Sequence, residues 1–319
     1  MYRYILKRIL LLIPVIIGVS FLVFTVMNLA AGDVTSAMGV DEMDPEQLEA
    51  LRERLGLNDP FIVRYGKYML GLLRGDLGVS YLTGKPVMAS FLEKFPNTML
   101  LAAGATLINL LISLPLGIFS ATHRGSFWDN SAMVLALLGL SIPNFWLGLM
   151  LIIGCSLKLG WFPSGYSEEA ILLSLVLPAI TLGTSHTASM TRTTRSAMLD
   201  VIRQDYLRTA RAKGVPERKV INKHALRNAL IPVITVAGGQ FAGSLGGSVI
   251  TESVFSWPGV GRLILDSINS RDTPVVVGCI IMKTIIICVI LLIIDIAYAY
   301  VDPRIKSQYS RGRRKKSEN

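Results

Sequence analysis

Cysteine and histidine are scarce in this chain, with three of each in 319 residues. Cys155 lies in one apolar run, and Cys279 and Cys288 lie nine positions apart in another. On a helix that spacing is about 13 Å along the axis, too far for a disulfide. His123, His186 and His224 are scattered with no ligand spacing, so neither a disulfide framework nor a zinc site follows. Phosphate cradles are missing too. Gly84-Lys85 comes nearest to a P-loop, but Val79 stands where the first glycine belongs and Pro86 where Ser or Thr belongs. Gly259-Val260-Gly261 has Ile264 in place of the third glycine of a dinucleotide loop, with no βαβ pattern around it. The chain is therefore expected to carry no catalytic residue, no metal ligand and no cofactor of its own. Charge is thin as well, at 17% of residues, below the level of an ordinary soluble domain.

Apolar residues are abundant instead. They make up 51% of the chain, and mean hydropathy is +0.51. A membrane-spanning helix needs ~20 apolar residues. Ile9–Ala31, Thr98–Thr122, Ser131–Leu157, Ala170–Thr191 and Asn228–Thr251 carry no Lys, Arg, Asp or Glu, and Thr273–Val301 carries only Lys283 and Asp295. In lipid, helices satisfy every backbone polar group internally. The expected fold is an all-α polytopic membrane protein with six transmembrane helices. The first run, 23 residues without charge, exceeds the ~7–15 residues of a signal-peptide core and reads as an uncut anchor, although Ala30-Ala31 resembles a cleavage site.

Charge then sets the orientation. With both termini cytoplasmic, the inner segments hold 21 of the 32 basic residues and a net charge of +15, and the outer segments hold 10 with a net charge of −5. That asymmetry follows the positive-inside rule. It accounts for the basic balance by topology, with the lipid bilayer as partner and no nucleic acid. The location implied is the cytoplasmic membrane.

Gly32–Asn97 is the one large outer segment, and it reads as helices. Asp44 is placed to cap a helix with Pro45 at its first position and Gln47 reaching back; Leu48, Leu51 and Leu55 share a face, and Gly56 ends it. Asp59-Pro60 restarts a helix with Phe61, Tyr65, Tyr68, Met69 and Leu72 on its apolar face, Gly75-Asp76-Leu77-Gly78 breaks it, and a third short helix begins at Pro86. Two readings stand, a brace for the first helix or a docking platform for an external partner.

In the fifth run, Gly239, Gly243 and Gly247 recur every four residues. Small residues at this spacing let helices approach closely, and tight packing is favoured over a pathway-lining face. Pro143 and Pro178 are expected to kink the third and fourth runs. Lys283 is placed to snorkel outward and Asp295 lies near the inner interface; twelve residues apart, about 18 Å along a helix, they cannot pair. A secondary transporter coupling an ion through them is the alternative from another class.

The most informative stretch is the basic segment 192–228, with ten basic and three acidic side chains. Asp205–Lys213 is predicted as a short helix, Gly214 as its left-handed stop and Pro216 as the start of the next helix. Tyr206 and Leu207 are expected to fill a partner's groove, and the small Ala210 to let that partner approach; a loop resting on anionic lipid is the plainer reading.

The segment resembles the coupling loop of binding-protein-dependent ABC importer permeases, whose signature is Glu-Ala-Ala-x-x-x-Gly with a downstream proline. Ala210 and Gly214 match, Arg208 and Thr209 stand in place of Glu and the first Ala, and Pro232 lies further along. Those departures are similar to the dipeptide/oligopeptide (nickel) branch of the family, in its first-permease type. Other blocks agree in order: Leu55-Gly56-Leu57, Gly75-Asp76-Leu77-Gly78-Val79-Ser80, Pro143-Asn144-Phe145-Trp146, Gly160-Trp161-Phe162-Pro163, Glu252 through Gly261, and Asp302-Pro303-Arg304.

The resemblance implies a type I ABC importer transmembrane fold. It also implies a second homologous permease, two ATP-binding subunits carrying ATP and Mg, and an external substrate-binding protein. The cargo would be di- or oligopeptides moved by alternating access, with nickel, a metal–chelator complex or glutathione as alternatives. Tyr206, Leu207, Ala210 and Gly214 would couple to the ATPases. Glu252, Phe255, Trp257, Pro258 and Gly259 would form an external lid or binding-protein contact, against the alternative of an aromatic interfacial anchor. The implied organisation is an N-terminal transmembrane helix (1–31), an external helical insertion (32–97), a five-helix permease core (98–305) with the coupling loop at 192–228, and a basic disordered tail (306–319).

Overall fold

The computed structural model describes residues 2–29, 34–37 and 44–301. The tail 306–319 and the Asp302-Pro303-Arg304 block lie outside the described residues. The helices run in the order α1 (Tyr2–Leu29), α2 (Val34–Ala37), α3 (Pro45–Arg54), α4 (Phe61–Leu73), α5 (Val87–Thr122), α6 (Phe127–Ser141), α7 (Asn144–Leu151), α8 (Ile171–Thr184), α9 (Thr187–Ile202), α10 (Asp205–Ala212), α11 (Glu217–Lys219), α12 (Leu226–Gly247), α13 (Val249–Val254), α14 (Val260–Asn269) and α15 (Thr273–Val301). Short π-helical stretches follow α7 (Ile152–Lys158) and precede α12 (Val220–Ala225). The only extended pairing among the described residues is one antiparallel bridge, Val79 to Pro86.

Four segments are long and apolar enough to cross a membrane: Arg8–Leu29, Val87–Thr122, Glu217–Gly247 and Thr273–Ala297. Two bent pairs bring the number of spans to six. Pro143 does more than kink its run. Ile142 and Pro143 are extended, because the proline ring pushes the preceding residue out of the helical region, and α6 and α7 diverge by 95°. Pro178 sits inside α8 without ending it. The bend in the fourth run falls instead at Ser185-His186, where α8 and α9 diverge by 64°. α9 then continues to Ile202, so the first eleven residues of 192–228 extend a helix. α5 joins the helix expected at Pro86 to the second apolar run; the proposed boundary at 97/98 lies within it.

The chain divides into two compact units, Leu100–Phe255 with the chain from Val289 onward, and Tyr2–Met99 with Ser256–Cys288. In the first, α9 packs on α6 and α12. Met190, Val233 and Ala237 form one buried cluster there, with Leu110 and Leu114 against it. Asn109 Nδ2 donates to Gln240 Oε1 at 2.7 Å, and Ser113 Oγ donates to Asn109 Oδ1 at 2.8 Å, so the polar side chains in this apolar interior are paired. At Gly183 the backbones of α8 and α5 meet; a Cβ there would lie 2.5 Å from the Ala105 carbonyl oxygen.

In the second unit, Leu77, Val87, Phe91, Val260, Ile264, Val276 and Cys279 make a buried core. Gly75 and Gly78 take positive φ in the turn that delivers Leu77 to it, a conformation that costs a residue with Cβ about 1–2 kcal/mol. α4 lies along α1: Tyr65 Oη is 3.0 Å from Ser20 Oγ, and the Phe24 ring meets Phe61 and Tyr65 edge-on at 5.6 Å. α3 begins at Pro45 as expected, but the Asp44 side chain makes no capping bond; Leu48 N–H bonds the Asp44 carbonyl instead. Lys283 is only 7% exposed. It is enclosed by protein and does not snorkel, because it lies in the middle of α15 with packed residues on either side.

The close approach at Gly183 gives a direct test. Gly183→Ala forces backbone apart at a cost of ~1–3 kcal/mol and should lower the thermal midpoint of the detergent-purified protein by several degrees. At Gly243 an added Cβ meets nothing within 4 Å, so Gly243→Ala should leave the midpoint unchanged or slightly raised.

Candidate functional site

The basic segment forms a bent helical pair on the first unit. α10 runs from Asp205 to Ala212, Gly214 has φ +76°, and Pro216 precedes α11 in an extended conformation. No atom outside its neighbours lies within 4 Å of where a Cβ on Gly214 would be. The glycine is thus needed there for its backbone angle alone. Val215 N–H bonds the Ala210 carbonyl at 3.2 Å and Gly214 N–H the Arg211 carbonyl at 2.9 Å, which satisfies carbonyls left open at the end of α10.

Leu207 points inward, contrary to the expectation that it fills a partner's groove. It is fully buried with Ala121, Ala197, Met198, Val220, Ile221, Ala225 and Ala229. Ala210 and Val215 pack on the same cluster. Burying a leucine is worth ~1.5–3 kcal/mol, so Leu207 fastens α10 to its own chain. Tyr206 is 43% exposed but tethered: Asn228 Nδ2 donates to its hydroxyl at 2.7 Å. Arg211 forks onto Glu217 with bonds of 3.0 and 2.8 Å, bracing the two arms across Gly214. These bonds raise the Arg211 pKa further above its usual value, so the guanidinium is charged at any physiological pH. The outward surface is cationic, with Arg203, Arg208, Lys213, Arg218 and Lys219 exposed.

Sequence reading missed Asp129. It lies in the first turn of α6, buried, and Arg195 of α9 donates to it twice, Nε at 2.9 Å and Nη2 at 2.7 Å. Ser120 of α5 donates to the same carboxylate, and so does Gly125 N–H at 2.9 Å. One carboxylate thus joins three helices beside the cluster that holds α10. The only signal in the sequence was an acid at the start of an apolar run.

The other expected sites are placed differently. Gly239, Gly243 and Gly247 are exposed, with nothing within 4 Å of an added Cβ, so they are not packed within this chain. Close packing on α12 falls at Gly238 instead, where a Cβ would lie 2.9 Å from Ile294 Cδ1. Glu252 is buried, accepting from Ser248 Oγ at 2.7 Å, and Phe255 is buried against Gly148. Trp257 is also buried; its indole N–H donates to the Asn97 carbonyl at 2.9 Å, and Asn97 Nδ2 donates to the Pro258 carbonyl at 3.1 Å. Gly259 is buried and Pro258 partly so. In this chain these groups are internal, because their polar atoms find partners there; Ser256 is the exposed member of the segment. Among the described residues no cluster of three or more His, Cys, Asp or Glu is placed to hold a metal.

The family model described as binding-protein-dependent transport system inner membrane component matches residues 113–307, and its N-terminal companion matches residues 1–102. The chain is 43% identical over 315 residues to the oligopeptide transport system permease protein AppB of Bacillus subtilis, covering 96% of this chain and 100% of that one. It is 41% identical to the dipeptide transport system permease protein DppB of Alkalihalophilus pseudofirmus, with the same coverages. To the glutathione transport system permease protein GsiC of Salmonella paratyphi A it is 39% identical, over 96% and 99% of the two chains. Among solved structures, an inward-facing MetNI methionine ABC transporter superposes with a TM-score of 0.55 at 18% identity, over 67% of this chain and 97% of that one.

The Asp129 clamp is testable by a double-mutant cycle. Asp129→Ala should cost about 1.5–3 kcal/mol of stability by stranding the Arg195 guanidinium. Adding Arg195→Leu should recover part of that loss. Measured by thermal unfolding, additive losses would mean that the two side chains do not interact.

Proposed function

The chain belongs to the family of binding-protein-dependent transport system inner membrane components, and on that premise we propose that it couples peptide import to ATP hydrolysis carried out by other subunits. It is a multi-pass membrane permease subunit with the type I importer fold. The finer reading is that α10, Gly214 and α11 form the element on which an ATP-binding subunit pushes. One observation carries it: α10 is fastened to the membrane helices through Leu207 while its other face presents exposed arginine and lysine side chains. A lever needs both a rigid attachment and a free contact surface.

In this reading Arg208, Thr209 and Tyr206 meet the ATPase, Ala210 and Leu207 hold the lever, and Gly214 sets the angle between its arms. The exposed small face of α12, at Gly239, Gly243 and Gly247, is proposed to meet the second permease subunit or line the path between them, since helices carrying glycine approach closely. Ser256 and Pro258, rather than the buried aromatics beside them, are proposed for contact with the binding protein on the outer side, with both termini cytoplasmic. Alternating access then follows from tilting membrane helices as the ATPases close. The 1–31, 32–97, 98–305 and 306–319 division is retained as a functional one, although α5 runs through the 97/98 boundary.

Di- or oligopeptide cargo is proposed from the names of the two relatives above 40% identity. Glutathione is the second reading, favoured by a relative of nearly equal similarity; nickel or a chelate has no such support.

The test has two parts. Purification from the native membrane should bring down two ATP-binding proteins and a second permease. Gly214→Val should then strain the turn by ~1–2 kcal/mol and cut cargo-stimulated ATP hydrolysis at least several-fold while assembly persists. Full coupling in that variant would refute the lever.

A further inference from the structure

A cavity of about 400 Å³ in the second unit is lined by Arg52, Arg64 and Arg271 together with Asn28, Asn58 and Tyr81. No carboxylate is among the described residues that line it. The nearest in sequence, Asp272, is buried and accepts from Ser80 Oγ and from Tyr81 N–H at 3.1 Å, so its charge is directed elsewhere. Arg64 is held in place: Nη1 donates to Asn28 Oδ1 at 2.9 Å, and the guanidinium lies over the Phe24 ring at 5.8 Å. Arg271 adopts φ +58°, a left-handed conformation that costs a non-glycine residue about 1 kcal/mol. Three guanidinium groups around one cavity repel one another unless an anion joins them.

The level of the cavity identifies the anion. Asn28 is the penultimate residue of α1, and Thr273, which also lines the cavity, is the first of α15. Both helices are long and apolar enough to span a membrane. A cavity bracketed by the ends of two spans lies at the membrane–water boundary, where lipid phosphates are found. The surroundings are greasy: Leu22, Val26 and Leu29 of α1 and Ile62 and Leu73 of α4 are largely exposed, Leu73 at 82%. α4, with this apolar face bare and its other face against α1, has the character of an interfacial helix.

We propose that this cavity binds the phosphodiester headgroup of an anionic phospholipid, with Arg52, Arg64 and Arg271 as the phosphate ligands and the exposed faces of α1 and α4 flanking its acyl chains. Arginine suits the role because its planar fork pairs with two phosphate oxygens at once and keeps its charge when partly buried. The site would tie α3, α4 and the approach to α15 to the bilayer surface. The inference needs only that α1 and α15 span the membrane; it does not depend on the transport reading or on the cargo.

The test uses the intact complex. Native mass spectrometry should find phosphatidylglycerol retained through detergent purification, and the variant Arg52→Gln/Arg64→Gln/Arg271→Gln should lose at least one retained lipid per permease. Vesicles of phosphatidylcholine containing one-fifth phosphatidylglycerol should raise the thermal midpoint of the wild type more than pure phosphatidylcholine vesicles do, and that difference should vanish in the variant. Equal retention in both proteins overturns the proposal. So does equal stabilisation of the wild type by inorganic phosphate in detergent, which would make the site one for free anions. If the triple variant does not assemble, wild-type complex labelled with a headgroup-diazirine phosphatidylglycerol decides the matter: adducts on peptides containing residues 52–64 or 271 support the site, and labelling confined to other helices removes it.

Discussion

A backbone that crosses lipid must keep every N–H and C=O bonded within itself, and this constraint organises the structure. It fixes where the helices break as firmly as where they run. The chain is extended at Ile142-Pro143 and turns at Ser185-His186, and at the second of these the hydrogen bonding is carried on locally: His186 N–H bonds the Gly183 carbonyl and Met190 N–H the His186 carbonyl. Pro178 needs no break, because one missing donor is tolerated within a helix that neighbours enclose. Bends of 95° and 64° are what six spans look like when two of them must change direction without exposing peptide groups.

The same constraint explains how a strongly basic segment stays attached to an apolar bundle. Charged side chains cannot be the adhesive, since exposed ion pairs contribute little. The attachment is apolar, through Leu207, Val220, Ile221 and Ala225 packed on Ala197 and Met198. Charge enters at one buried point, where Asp129 gathers Arg195, Ser120 and the Gly125 amide. A carboxylate with this many donors is fully compensated, and it sets the relation of α5, α6 and α9 more sharply than van der Waals contact alone. α10 is therefore an extension of a clamped helical corner, with its cations turned outward.

Cations serve two different ends in this protein. On 192–228 they coat a surface that remains accessible. Around Arg52, Arg64 and Arg271 they converge on a cavity at the ends of two spans. The first arrangement suits a protein surface that comes and goes, and the second suits a ligand that stays.

The sequence by itself determined the fold class, the six apolar segments, the helix–glycine–helix form of the basic segment and the family. These follow from local rules: apolar length, the left-handed tolerance of glycine at Gly214, and proline at Pro45 and Pro216. Orientation of side chains was decided only by tertiary structure. Leu207, Phe255 and Trp257 looked like contact residues because a large apolar group in a polar stretch attracts attention, yet each is covered by distant residues that sequence spacing cannot bring to mind. Gly239, Gly243 and Gly247 looked packed, yet Gly183 and Gly238 carry the close approaches, because which face of a helix meets a neighbour depends on the neighbour. Asp129 and Arg195 lie 66 positions apart and became a pair only when α6 and α9 were laid side by side.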